Sequence, residues 1–160
     1  MSGHLTVRRV ILSDADDLYV WRTDPVTVEA SRVGTSLTFQ DHLRWLTAYL
    51  DRPDGLLVIG QHGRGSKVGT VRFDARPELG SASFEVSITV APPSRGRGLA
   101  KGLLLASEEF ARATLPLKTV YAFVRISNDA SLRLFDMCGY SRQGPTTDPT
   151  GVWFRKTLAG

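Results

Sequence analysis

The chain has a single cysteine, Cys138, among 160 residues. One thiol forms no intramolecular disulfide and supplies no cysteine-rich zinc site. Histidine is nearly as scarce: His4, His42 and His62 stand far apart, without metal-ligand spacing, so no metal is expected. Long apolar runs are missing too. The longest near the N-terminus is Val10 to Leu12, far short of the ~20 residues that span a bilayer, and no leader segment is read there. These absences predict a cytoplasmic protein with a reduced thiol and no membrane partner. No repeat, low-complexity tract or linker divides the chain, so one domain over residues 1–160 is expected.

What is present is ordinary for a globular domain, with 42% hydrophobic and 22% charged residues, and this excludes a disordered tail, a collagen-like chain and a coiled coil. The net charge is +4 and the isoelectric point is near 9.6, which favours an anionic partner. The basic residues form no stripe, so a small phosphorylated ligand fits the surplus better than nucleic acid.

Hydrophobic periodicity predicts a strand over 5–12, a helix over 14–23 capped by Ser13 and ended by Pro25, and a helix over 39–50 capped by Thr38. In the latter, Leu43, Leu46 and Leu50 share a face. Strands over 56–61 and 67–74 flank the turn Gly63-Arg64-Gly65-Ser66 and form an antiparallel hairpin. The clearest strand covers 82–91: Phe84, Val86, Ile88 and Val90 alternate with Ser83, Glu85, Ser87 and Thr89, giving an apolar and a polar face. A helix over 99–114 follows, with Leu99, Leu103, Ala106, Phe110 and Ala113 as its stripe. A strand over 119–124, a helix over 128–138 with Gly139 at its end, and strands over 140–143 and 152–158 complete the chain. The expected class is α/β (α+β), with one mixed sheet.

The segment Arg95-Gly96-Arg97-Gly98-Leu99-Ala100 leaves a strand and enters a helix. A helix start offers unpaired amides and partial positive charge, glycines admit close approach, and arginines add charge-assisted bonds, so the segment suits a phosphate group. It is not a P-loop, because Leu99 and Ala100 follow Gly98 where Lys and Ser or Thr are needed. It is not a dinucleotide fingerprint either, because Pro92 to Arg95 intervene and no acid closes the next strand.

The segment resembles the Arg/Gln-x-x-Gly-x-Gly/Ala motif of the GNAT acetyltransferase superfamily, with Arg95, Gly98 and Ala100 at the motif positions. Asn128-Asp129-Ala130-Ser131, leading to Gly139-Tyr140, is similar to that superfamily's second motif. The resemblance implies a single, mostly antiparallel sheet of about seven strands flanked by about four helices. It implies an acetyl-CoA-dependent N-acetyltransferase with acetyl-CoA between the strands 82–91 and 119–124. Ile88 and Val90 would pair with its pantetheine, the backbone of Arg95, Gly96, Arg97, Gly98, Leu99 and Ala100 would hold its pyrophosphate, and Asn128, Ser131 and Phe135 would line its arm.

Acetyl transfer to an amine needs removal of a proton from the amine and return of one to the leaving thiolate. Glu85, on the polar face of its strand, is either that base or a solvated or ion-paired strand residue. Ser87 on the same face is either a water-positioning group or a plain strand serine. Where many superfamily members carry a tyrosine acid, this chain has Phe135, leaving Tyr121, Cys138 or solvent as the proton source. Trp21-Arg22, Ser31 and His42 to Trp45 resemble the N-terminal half of amino-sugar N-acetyltransferases of the pseudaminic acid pathway. That resemblance places Trp21, Arg22, His42 and Trp45 at the acceptor, a nucleotide-linked amino sugar or other small amine. The same pattern recurs in acetyltransferases that modify ribosomal protein N-termini or antibiotics, and an acetyl-CoA sensor without turnover is a further alternative. A homodimer is compatible with all of these.

Overall fold

Alternation of Phe84, Val86 and Ile88 with Glu85, Ser87 and Thr89 produces β4 (Ser83–Val90), the central strand of a seven-stranded sheet. In the computed structural model, which describes residues 4–30, 37–144 and 148–158, the strands lie side by side in a fixed order. That order is β1 (Leu5–Arg9), β2 (Gly55–His62), β3 (Ser66–Ala75), β4, β5 (Thr119–Arg125), β7 (Gly151–Thr157) and β6 (Ser141–Arg142). Neighbours are antiparallel except β4 and β5, which run parallel and are joined through helix α4 (Ala100–Thr114).

The two faces of the sheet are covered unequally. Val71, Phe73, Phe84, Val86, Val120 and Ala122 pack under α4 and α5 (Asp129–Met137), which contribute Leu103, Leu104, Leu132 and Phe135. On the opposite face, α1 (Ala15–Thr23) and α3 (Phe39–Leu50) place Leu18, Trp21, Leu46 and Tyr49 over Leu57 and Ile59 of β2. This second cover does not extend over the polar face of β4, which borders a cavity instead.

The described residues form five α-helices where about four were expected. The extra one is α2 (Pro25–Ala30), because Pro25 opens a helix where it was expected only to close one. At the first helical position its missing N–H costs nothing. Asp24 completes the start, its Oδ2 accepting from the amides of Val26 (3.1 Å) and Thr27 (3.3 Å). The first strand stops at Arg9, short of residue 12, and the cap position of α1 is Asp14, not Ser13, which lies in a one-turn helix (Leu12–Asp14). Asp14 is buried and accepts from Arg8 (2.9 and 3.0 Å) and the Ile11 amide (2.9 Å), and pairs with Lys67 (2.8 Å). Burial alone would raise its pKa, but these donors outweigh burial and hold the carboxyl well below its ordinary range.

Both expected helix stripes are rotated. In α3 the buried positions are His42, Leu46 and Tyr49, while Leu50 is exposed. Thr38 caps this helix as expected, its Oγ1 accepting from the Asp41 amide (3.1 Å). In α4 the buried positions are Leu103, Leu104, Ser107, Glu108 and Ala111, while Ala113 is exposed. An apolar pattern overlooks this stripe because two of its members are polar. Glu108 is tolerated there because Tyr140 Oη donates to its Oε2 (2.7 Å) and Lys156 Nζ to its Oε1 (2.7 Å). Lys156 Nζ also donates to the Cys138 carbonyl (2.7 Å).

Candidate active site

Strands β4 and β5 pair only over Ser83↔Thr119, Phe84↔Val120 and Glu85↔Tyr121, among the described residues. Both continue, β4 with β3 as far as Val90 and β5 with β7 as far as Arg125. Beyond Glu85 the two parallel strands therefore part. A cavity of about 830 Å³ opens at this gap, running from α1 and α3 past the parting strands to the loop before α4. It brings together Trp21, Arg22, His42, Trp45, Glu85, Ile88, Val90, Arg95, Gly96, Gly98, Leu99, Ala100, Asn128, Ser131 and Phe135. Arg97 is exposed and is not part of this lining, nor are Tyr121 and Cys138. Ser31 lies outside the described residues.

At one end, Gly96 (φ 70°) and Gly98 (φ 71°) adopt the left-handed conformation that other residues enter at a cost. A Cβ on either would meet no atom within 4 Å, so backbone geometry and not crowding calls for glycine, and the space above is open. The first helical bond runs from Leu103 N to Leu99 O (3.0 Å), leaving the amides of Ala100, Lys101 and Gly102 without helical carbonyls. The Arg95 side chain does not reach over this loop. Its Nη2 donates to Asp24 Oδ2 (2.8 Å) and Thr27 Oγ1 (2.9 Å), tying the loop to α2. Asn128 caps α5, its Oδ1 accepting from the Ser131 amide (3.2 Å). Phe135 is a buried wall, edge-on to Tyr140 (4.9 Å) and tilted against Phe154 (5.6 Å). The Cys138 thiol is buried, and burial followed by the charge of Glu108 pushes its pKa up.

At the other end, Glu85 is half-buried and ion-paired with Arg76, which also pairs with Glu78. Across the β3–β4 register, Asp74 faces Glu85 and Arg72 faces Ser87. Arg72 Nε lies 3.0 Å from Asp74 Oδ2, and Tyr49 Oη donates to Asp74 Oδ1 (2.7 Å). Two guanidinium groups share the Trp45 ring: Arg22 at 4.5 Å and Arg72 at 5.7 Å from its centroid. Trp21 is mostly core, 6% exposed.

His42 is fully buried beside the rings of Tyr19, Phe39 and Trp45. Its Nε2 lies 3.2 Å from the Ala15 carbonyl, which only accepts, so this nitrogen carries the proton. Nδ1 is then a lone-pair acceptor, and it has no partner among the described residues. Burial, followed by the charge of Arg22, lowers the imidazole pKa and keeps the ring neutral.

Sequence reasoning missed Arg72, Thr27 and Phe123, which also line the cavity. Arg72 was within reach, since the hairpin register and the alternation of β3 put it on the face of Thr70 and Asp74, opposite Ser87. Thr27 was hidden by the unrecognised α2.

Residues 4–141 match the acetyltransferase (GNAT) domain family. A 62-residue stretch is 29% identical to the spermidine N(1)-acetyltransferase of Vibrio cholerae, spanning 39% of this chain and 36% of that relative. The fold is similar to that of spermidine N-acetyltransferase from Vibrio cholerae in complex with CoA and spermine, with a TM-score of 0.82 at 16% identity, covering 96% of this chain and 94% of the other. It is also similar to an aminoglycoside acetyltransferase in complex with coenzyme A, with a TM-score of 0.80 at 20% identity, covering 96% and 95%.

Proposed function

Because the chain belongs to the acetyltransferase (GNAT) domain family, we propose that it is an N-acetyltransferase that moves an acetyl group directly from acetyl-CoA to a primary amine of a small molecule. The observation that carries this reading is the parting of β4 and β5 beside a left-handed glycine loop at a helix start. The residues fit acetyl-CoA: the edge of β4 from Val86 to Val90 has no strand partner on the β5 side among the described residues. The amides of Gly96 to Ala100 and the start of α4 would take the pyrophosphate, which a helix N-terminus favours.

Acetyl-CoA, when bound, supplies an acetyl group activated as a thioester. In this reading the Glu85 carboxylate, held by Arg76, takes the proton of the incoming ammonium, directly or through a water positioned by Ser87. Neutral His42 lies behind the acceptor end, and Trp45 with Arg22 forms the acceptor wall. Phe135 holds no proton to give, and Tyr121 and Cys138 are not part of the cavity lining, so the leaving thiolate takes its proton from solvent.

The acceptor we favour is a nucleotide-linked amino sugar, whose negative charge suits a chain of net charge +4. Phe135 favours a second reading, an acetyl-CoA sensor without turnover. The test measures CoA release from acetyl-CoA with a UDP-linked 4-amino sugar and with a short peptide bearing a free N-terminus. Turnover of either excludes the sensor, and a higher kcat/KM for the peptide overturns the sugar assignment.

A further inference from the structure

The carboxylates around the acceptor end are already taken. Asp24 is paired with Arg95, Asp74 with Arg72 and Tyr49, and Glu85 with Arg76. The cavity lining contains one carboxylate, Glu85, against the three guanidinium groups of Arg22, Arg72 and Arg95. Among the described residues Arg72 meets Asp74 through Nε, and no carboxylate pairs with Arg22. Both cations are held on one ring, that of Trp45. Such an arrangement has nothing to offer the second and third ammonium groups of a polyamine, and it repels them.

We propose that Arg22 and Arg72, braced on Trp45, form a subsite for an anionic group, phosphate or carboxylate, carried by the acceptor amine itself. The inference rests on the acetyltransferase reading and defines its substrate class as amines bearing negative charge. Guanidinium forks match both oxyanions, and the aromatic brace reduces the freedom lost on binding. The subsite is placed for this task. Arg72 faces Ser87, while Glu85 lies two residues back on the same strand face. Two strand residues span roughly 7 Å, about the length of a sugar ring, so an amine at Glu85 can extend its anionic end to Arg72 and Arg22. The loop at residues 95–100 lies beyond the far end of β4, so the cofactor's phosphates and the acceptor's anion occupy separate places. Although Arg22 is exposed, partial desolvation of its guanidinium, followed by the charge of Arg72, lowers its pKa, the direction expected for a cation that a bound anion would relieve.

The experiment titrates CoA-saturated protein calorimetrically with four amines: glucosamine, glucosamine 6-phosphate, muramic acid and spermidine. Glucosamine 6-phosphate or muramic acid is expected to bind roughly tenfold or more tightly than glucosamine, the scale of one charge-assisted hydrogen bond. Which of the two binds better separates phosphate from carboxylate, and either supports the subsite. In Arg22→Gln, an exposed position, the gap should shrink several-fold while CoA affinity stays put. Equal binding of glucosamine and both anionic amines, absence of binding by all of them, tightest binding by spermidine, or an unchanged gap in Arg22→Gln overturns the proposal. Failure of the protein to bind CoA in the first titration would instead overturn the acetyltransferase reading.

Discussion

Replacing Tyr140 by Phe removes one oxygen and keeps the ring. That oxygen donates to Glu108 Oε2 at 2.7 Å, and the two residues are only 5% and 3% exposed, so water cannot stand in for it. The ring retains its edge contact with Phe135, so little packing is lost. What is lost is a bond to an ion-paired carboxylate, worth about 1.5–3 kcal/mol. The larger cost of about 3–5 kcal/mol for a stranded buried charge is not expected, because Lys156 still reaches Glu108 Oε1 at 2.7 Å. For a domain of this size each kcal/mol moves Tm by about 2–4 °C, so the variant should melt roughly 3–12 °C lower. CoA affinity should not change, since Tyr140 is not part of the cavity lining. The pH dependence supplies a second readout. Burial, followed by the charge of Glu108, pushes the Tyr140 hydroxyl far above its ordinary pKa. A phenol that resists ionisation in the folded state contributes stability that is whole below the unfolded value of about 10 and lost as pH climbs above it. The variant should therefore lose less stability than the parent between about pH 9 and about pH 11. Calorimetric melting across that range is the assay. A Tm within about 1 °C of the parent, or an unchanged alkaline slope, would refute the reasoning.

Glu85→Gln should lower turnover by about 10²–10⁴-fold at neutral pH while calorimetric CoA affinity holds, and a loss of only a few-fold would make Glu85 a mere partner of Arg76. Gly98→Ala would clash with no atom, so its folding cost should be the left-handed strain of about 1–2 kcal/mol. A weaker CoA titration by the folded variant would then report lost backbone approach, and undiminished affinity would detach the loop from the phosphates. On acidification, urea midpoints should fall below about pH 4, because unfolded Asp14 binds a proton that the folded carboxyl refuses. Asp14→Asn should start less stable but show a flatter acid limb, and an equally steep limb would assign the effect elsewhere.

Legibility followed the physics of each segment. Where burial is one-sided and apolar, as in β4, the period-two pattern named both the strand and the face that carries Glu85 and Ser87. The glycine loop was readable because only special backbone conformations and close approach call for glycine at 96 and 98. The stripe of α4 was not, since Ser107 and Glu108 are buried, and only the distant Tyr140 and Lys156 make Glu108 tolerable there. Likewise α3 turns the polar His42 inward, which an apolar count discards. Helix α2 escaped because Pro25 both ends and begins helices, and the deciding capping bonds come from Asp24. The pairings that engage Asp24, Asp74 and Glu85 beside the cavity depend on tertiary contacts that no local pattern contains.

The tie from Arg95 to Asp24 and Thr27 fastens the glycine loop to α2, whose Val26, Thr27 and Val28 line the same cavity. In the proposed acetyltransferase this joint would lie between coenzyme A and the amine. A change in amine affinity that coenzyme A makes through that joint must be matched by an equal factor in coenzyme A affinity on amine binding. Asp24→Asn removes the joint's charge without removing either pocket. Its mark would be a changed interaction between the two affinities, read as a shift in how strongly each substrate sharpens the binding of the other.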